Sequence, residues 1–264
     1  MRYLLRALQR IYFIYAFTCF IVIMLLLFPF VIIASFFGHV KGGNLTYRLC
    51  MIWGNLTFPL IFIFPKRIFE APHDKTKPYI FVTNHISYLD ACILVMAFRQ
   101  PLRILAKVEM TKIPVFGFIY KNAVITVDRG SVKNKTRSLF IIKSLIRKGI
   151  SVLFFPEGTF NMSSGPLKEF YDGAFRMAIE TKTPVKPVLF LDTFDRMPRG
   201  NLFSLTPGKC RIVYLDEIGV EGMSSHDVAG LKQKVFDIMS EKLREYKATW
   251  IIPANRESSI VNRE

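Results

Sequence analysis

A histidine and an aspartate five residues apart, His85 and Asp90, follow a β-rich run in the stretch FVTNHISYLD, Phe81–Asp90. Histidine is the side chain best suited to general-base work near neutral pH. A carboxylate on its other ring nitrogen fixes the tautomer and stabilises the imidazolium. Within one helix, five residues turn through about 500° and leave two such groups well apart in angle. The pair can therefore meet only if His85 sits in a loop or first turn leading into the helix that carries Asp90, with Asn84 placed to hold that turn. On spacing alone, a surface histidine beside an aspartate favoured by a helix dipole fits as well.

A second constellation is FFPEGTF, Phe154–Phe160. The buried-looking strand SVLFF runs into Pro156, which cannot continue a central strand. Glu157 is then expected at the strand's end, on the edge His85 occupies, to bond substrate hydroxyls or to brace a loop. The third set is basic: Lys107 with Glu109, Asp128 with Arg129, and Lys168. Arginine offers a fork matched to phosphate and lysine a point charge. In a chain with 36 Lys and Arg any one of them is ordinarily a solvated cation. Arg129 stands out because it comes just past the apolar strand AVITV.

Other nucleophile and metal patterns are missing: there is no G-x-S-x-G elbow, no Walker loop and no H-E-x-x-H. Cys19, Cys50, Cys92 and Cys210 have neither metal-site nor disulfide spacing and suit a reducing compartment. His73 and His226 read as structural. A base at His85 would then draw its proton from a substrate hydroxyl, giving direct transfer with no acyl-enzyme, metal or cofactor.

The elements that must position these groups divide the chain in two. Ile11 to Val40 contains no Asp, Glu, Lys or Arg, long enough for a helix to cross the hydrocarbon core. Arg2, Arg6 and Arg10 precede it, which places the N-terminus on the cytoplasmic side, and Pro29 is a candidate kink. After a turn rich in glycine at 38–44, a second uncharged stretch, Leu49 to Pro65, is marginal for a full span. A hairpin over residues 1–67, re-entrant or spanning twice, keeps Arg10, Lys66 and Arg67 at one interface.

From residue 68 to 264 short apolar runs alternate with helix-like segments, the texture of an α/β domain with a mixed central sheet flanked by helices. Candidate strands are Pro78–Thr83, Ala123–Val127, Ser151–Phe155, Val185–Leu191 and Cys210–Leu215. Candidate helices are Ser131–Lys148, Gly173–Thr181 and His226–Tyr246. A chain that is 51% hydrophobic and 21% charged, with mean hydropathy +0.30, fits a membrane-attached globular domain and not a multi-span transporter. Its net charge of +16 attracts polyanions. Beside apolar surface an anionic leaflet is the favoured partner, at roughly 1 kcal/mol per basic residue. The Lys and Arg are spread along the chain, without the basic tail or stripe of a nucleic-acid binder.

NHISYLD resembles the N-H-x4-D motif of the glycerol-phosphate and lysophosphatidic acid acyltransferase family. The segment Ile104–Gly130, with LAKVE, IPVFGFI and ITVDRG, resembles its second block, FPEGTF its third, and Pro187 in VKPVLF the proline of its fourth. The resemblance implies an α/β fold behind a hydrophobic helical pair, His85 as base and Asp90 as its orienter. It also implies that Arg129, Glu157, Gly158 and Thr159 bind the glycerol phosphate of a lysophospholipid acceptor. Asn84, Lys107 and Lys168 complete the expected substrate-binding set. The implied donor is acyl-CoA or acyl carrier protein, and the implied product phosphatidic acid. One departure is Phe160, where the family carries arginine: a phosphate-binding cation is lost there, which raises the standing of another acceptor such as a lyso-aminolipid. A non-catalytic lipid-binding surface protein is the reading from a different class.

Overall fold

The computed structural model describes residues 2–127 and 132–252. Helix α1 (Arg2–Ser35) runs uninterrupted through Pro29. At 1.5 Å per residue it is about 51 Å long, and by length and composition it is able to cross a bilayer. Ala16, Ile23, Met24, Val31 and Ala34 are buried, while Leu4, Leu8, Ile11, Phe17, Leu26, Phe30 and Ile33 on its other sides are exposed. A π-helical turn (Gly38–Gly42) leads into α2 (Gly43–Leu60). A Cβ on Gly42 would lie 2.3 Å from the Ala34 carbonyl oxygen, so only glycine lets this turn close. The arms are joined by Trp53 Nε1 donating to the Phe20 carbonyl at 3.2 Å and Tyr15 Oη donating to the Leu60 carbonyl at 2.9 Å.

The chain then enters β1 (Ile63–Phe69), which crosses residue 67 and pairs in parallel with β7 (Gly208–Tyr214). The uncharged stretch Leu49–Pro65 is thus part helix and part strand. Pro65 is tolerated because β1 is an edge strand, bonded on one side only. Between them come β2 (Ile80–Thr83), α3 (Leu89–Ala97), β3 (Leu102–Lys107), α4 (Phe116–Ala123), β4 (Val124–Val127), α5 (Val132–Arg147), β5 (Ser151–Phe154), α6 (Gly173–Thr181), β6 (Val185–Phe190) and the short α7 (Thr193–Arg196). Helix α8 (Val228–Glu245) follows β7.

The seven strands are ordered β1-β7-β6-β2-β5-β3-β4. All neighbours are parallel except β6 and β7, so the sheet is mixed. Both faces are covered, which is why the central strands are continuous apolar runs. Ile80, Val82, Val152, Phe154 and Leu189 pack toward α5, α6 and α8. Their alternates Phe81, Leu153, Val188 and Phe190 pack toward α2 and α3. Parallel β2, β5 and β6 end together, so the segments after Thr83, Phe154 and Phe190 emerge on one carboxyl edge, where open α/β sheets bind ligands.

Candidate active site

His85 lies in the loop between β2 and α3, and Asp90 in the first turn of α3. Asp90 Oδ2 collects three donors: His85 Nδ1 at 2.9 Å, Ile86 N at 2.7 Å and Ser87 N at 2.9 Å. The two backbone amides wrap the loop around the carboxylate, and this curl brings the imidazole onto it. Asp90 is fully buried, whereas the His85 side chain keeps 19% of its surface exposed. With Nδ1–H committed to the carboxylate, Nε2 is left as the proton acceptor. Phe155 stacks on the ring at 4.2 Å and Phe160 meets it at the same distance from another angle, with Tyr88 against Phe160 at 4.8 Å.

Glu157 is fully buried. Its Oε1 accepts from His85 N at 2.7 Å, and its Oε2 from Lys168 N at 2.8 Å. The backbone returns the tie, with Asn161 N donating to the His85 carbonyl at 2.8 Å. Between them Gly158 turns at φ 71°, a left-handed conformation that glycine adopts without strain. Burial pushes the Glu157 pKa up to about 7, outweighing the two amide donors that favour its charged form.

The remaining expected residues fall in different places. Asn84 is buried, donates to the Phe190 carbonyl at 2.9 Å and accepts from Phe190 N at 2.8 Å. Its amide therefore clasps the ends of β2 and β6 together. Thr159 and Lys168 are exposed at the rim, with Lys168 Nζ donating to Thr159 Oγ1 at 2.9 Å. Lys107 ends β3, but its side chain, like the whole of Arg129, lies outside the described residues. Motif spacing gave no sign of Ser87, whose Oγ donates to the Met197 carbonyl at 2.6 Å, nor of the Asn161 brace. The turn composition NMSSG, residues 161–165, was the only available signal for the latter.

An apolar cavity of about 530 Å³ opens beside His85, Gly158, Thr159 and Phe160. It runs between α2, α3 and α4 to Phe20, Met24, Leu27 and Val31 of α1. No group of three or more His, Cys, Asp or Glu among the described residues could hold a metal. The arrangement provides an oriented imidazole beside the opening of an apolar cavity.

Comparison with known proteins shows similarity to acyltransferases. A family model described as Acyltransferase matches residues 67–191. A chloroplastic 1-acyl-sn-glycerol-3-phosphate acyltransferase of Brassica napus is 29% identical over 195 residues, covering 73% of this chain and 55% of that protein. The mouse 1-acyl-sn-glycerol-3-phosphate acyltransferase alpha is 27% identical over 172 residues, covering 64% of this chain and 60% of that one. The chain thus spans little more than half the length of such relatives. The crystal structure of the 1-acyl-sn-glycerophosphate acyltransferase PlsC of Thermotoga maritima superposes with a TM-score of 0.72 at 24% identity, over 96% of this chain and 100% of that one. Residues 67–191, which carry the His85–Asp90 pair, thus match the acyltransferase family model, and the chain is similar in sequence to these acyltransferases.

Proposed function

We propose that the protein transfers a fatty acyl group from an acyl thioester, acyl-CoA or acyl carrier protein, to the free hydroxyl of 1-acyl-glycerol-3-phosphate, yielding phosphatidic acid for phospholipid synthesis. The observation that carries this reading is the His85–Asp90 pair at the mouth of an apolar cavity that reaches α1. A chain-bearing substrate fits such a slot, and a hydroxyl at its mouth meets Nε2. In the reaction, Nε2 takes the hydroxyl proton while the oxygen attacks the thioester carbonyl. Asp90 stabilises the imidazolium that forms. As the tetrahedral intermediate collapses, the C–S bond breaks and the imidazolium returns the proton to the leaving thiolate. Every atom balances without a metal or cofactor.

The uncovered apolar sides of α1 support placing the helical part of the 1–67 hairpin in a bilayer, with β1 and the domain at residues 68–264 on its cytoplasmic face, where the chain's net positive charge meets an anionic leaflet. Phe160 beside His85 favours one second reading, a lysolipid acceptor without a phosphate monoester, such as a lyso-aminolipid. The test is purification from membranes and mass spectrometry of products from mixed donors and acceptors. His85→Ala should lower kcat by about three to four orders of magnitude, and Asp90→Asn by a comparable factor through the wrong tautomer. A folded His85→Ala protein with near-normal transfer would sink the enzyme reading.

A further inference from the structure

We propose that Arg199, a residue outside the four motif blocks, forms with Lys168 the anion subsite that receives the acceptor's phosphate. This rests on the phosphate-bearing acceptor proposed above. Position 160, where the resembling family carries arginine, holds a phenylalanine packed on His85 and Tyr88 and supplies no cation.

Two other cations come to rest on the loop that Phe160 belongs to. Lys168 reaches it through Thr159 Oγ1 at 2.9 Å, and Arg199 Nη2 donates to the Ser163 carbonyl at 2.9 Å. Both are tied to the catalytic loop by short paths. The Lys168 amide shares Glu157 with the His85 amide. The chain just ahead of Arg199 is anchored where Met197 O accepts from Ser87 Oγ at 2.6 Å.

Neither cation has an ion-pair partner among the described residues. Glu157, whose charge reaches Arg199, has both oxygens taken by backbone amides. Arg199 Nη1 is shut off from solvent and has no partner among the described residues. A buried donor left unpaired is costly, and a guanidinium holding one nitrogen on a carbonyl presents the other to an anionic oxygen. The Phe194 ring, 5.4 Å from the guanidinium carbon, holds the fork in place. A phosphate monoester has three peripheral oxygens, enough acceptors for both Nη1 and the Lys168 ammonium.

The experiment measures acceptor KM and kcat with 1-acyl-glycerol-3-phosphate at a saturating acyl donor, and the potency of inorganic phosphate as a competitor of that acceptor. Arg199→Ala should raise the acceptor KM and the phosphate inhibition constant together by about 10- to 100-fold, the size of a lost charged hydrogen bond, with kcat nearly kept. Arg199→Lys should fall between, and adding Phe160→Arg to Arg199→Ala should recover most of the loss. If Arg199→Ala fails to fold, Lys168→Ala carries the same expectation. An unchanged KM and phosphate potency in a folded variant would overturn the subsite while leaving the acyltransferase reading intact. Wild-type protein that acylates only acceptors lacking a phosphate monoester would overturn the acceptor reading and the subsite with it.

Discussion

Glu157 is buried, with each of its oxygens on a backbone amide. Its two oxygens hold the backbones of His85 and Lys168, which suits it to position the proposed base. Burial raises its pKa from an ordinary value near 4.5 to about 7. Between those values the folded protein keeps a proton that the unfolded chain has lost. The contribution of this group to stability is therefore full below pH 4.5 and is lost as pH rises through 7, by about 3 kcal/mol. Glu157→Gln cannot titrate, so urea midpoints measured from pH 5 to 8 should decline less in the variant than in the wild type. An equal decline in both would show that the group does not carry the slope. Residue types and spacing were enough to single out His85, Asp90 and Glu157, and even the need for a loop ahead of Asp90. They could not tell a carboxylate facing solvent from one facing two amides, because the second amide comes from residue 168 and the first from residue 85. The same holds for Asn84, whose partner is 106 residues away.

Among the elements, β3 has the most unusual tenant. Arg103 is almost fully buried and has no carboxylate partner among the described residues. Its Nη2 donates to the His39 and Val40 carbonyls at 3.1 and 3.2 Å, and its Nη1 to the Leu102 carbonyl at 2.8 Å. Burial lowers its pKa to about 10, which leaves it charged at neutral pH. The strand thus grips the π-helical turn between α1 and α2. Arg103→Met strands those carbonyls and should lower the unfolding temperature in detergent by about 5–10 °C, measured by intrinsic fluorescence. A change under 2 °C would mean that water replaces the guanidinium at little cost. Strands with unbroken apolar runs, such as Ser151–Phe154 and Val185–Phe190, were legible because both of their faces are covered. The two strands that escaped notice, β1 and β3, carry Pro65, Lys66 and Arg67 or Arg103 and Lys107. In β1 the polar groups sit on an edge strand, and in β3 Arg103 finds partners far along the chain. Helix α3 was hard to delimit for the opposite reason: LDACILVMA is apolar nearly all round, so no periodicity marks its buried side.

At the scale of the molecule, helical hairpin and sheet enclose the cavity jointly. Gln9 and Phe13 of α1 touch Ser204 and Phe203, in the segment that follows Met197 and its bond from Ser87. Val31 lies 18 residues further along, about 27 Å at the helical rise, which sets it toward the far end of the slot. Val31→Trp should therefore shift the product spectrum toward acyl chains shorter by several carbons, read by mass spectrometry of competing donors, with the rate on short chains retained. An unchanged chain-length profile would place the acyl group elsewhere. The hairpin is also fastened to the sheet at two separated points. Its exit strand is woven beside β7, and its turn is gripped by Arg103 toward the opposite margin. A body bolted twice has no swivel. With α1 in the bilayer, the imidazole would ride at one height above the lipid tails, fixed when the chain folds. Lipid alcohols would then be sorted by how deep they float, before any headgroup is recognised.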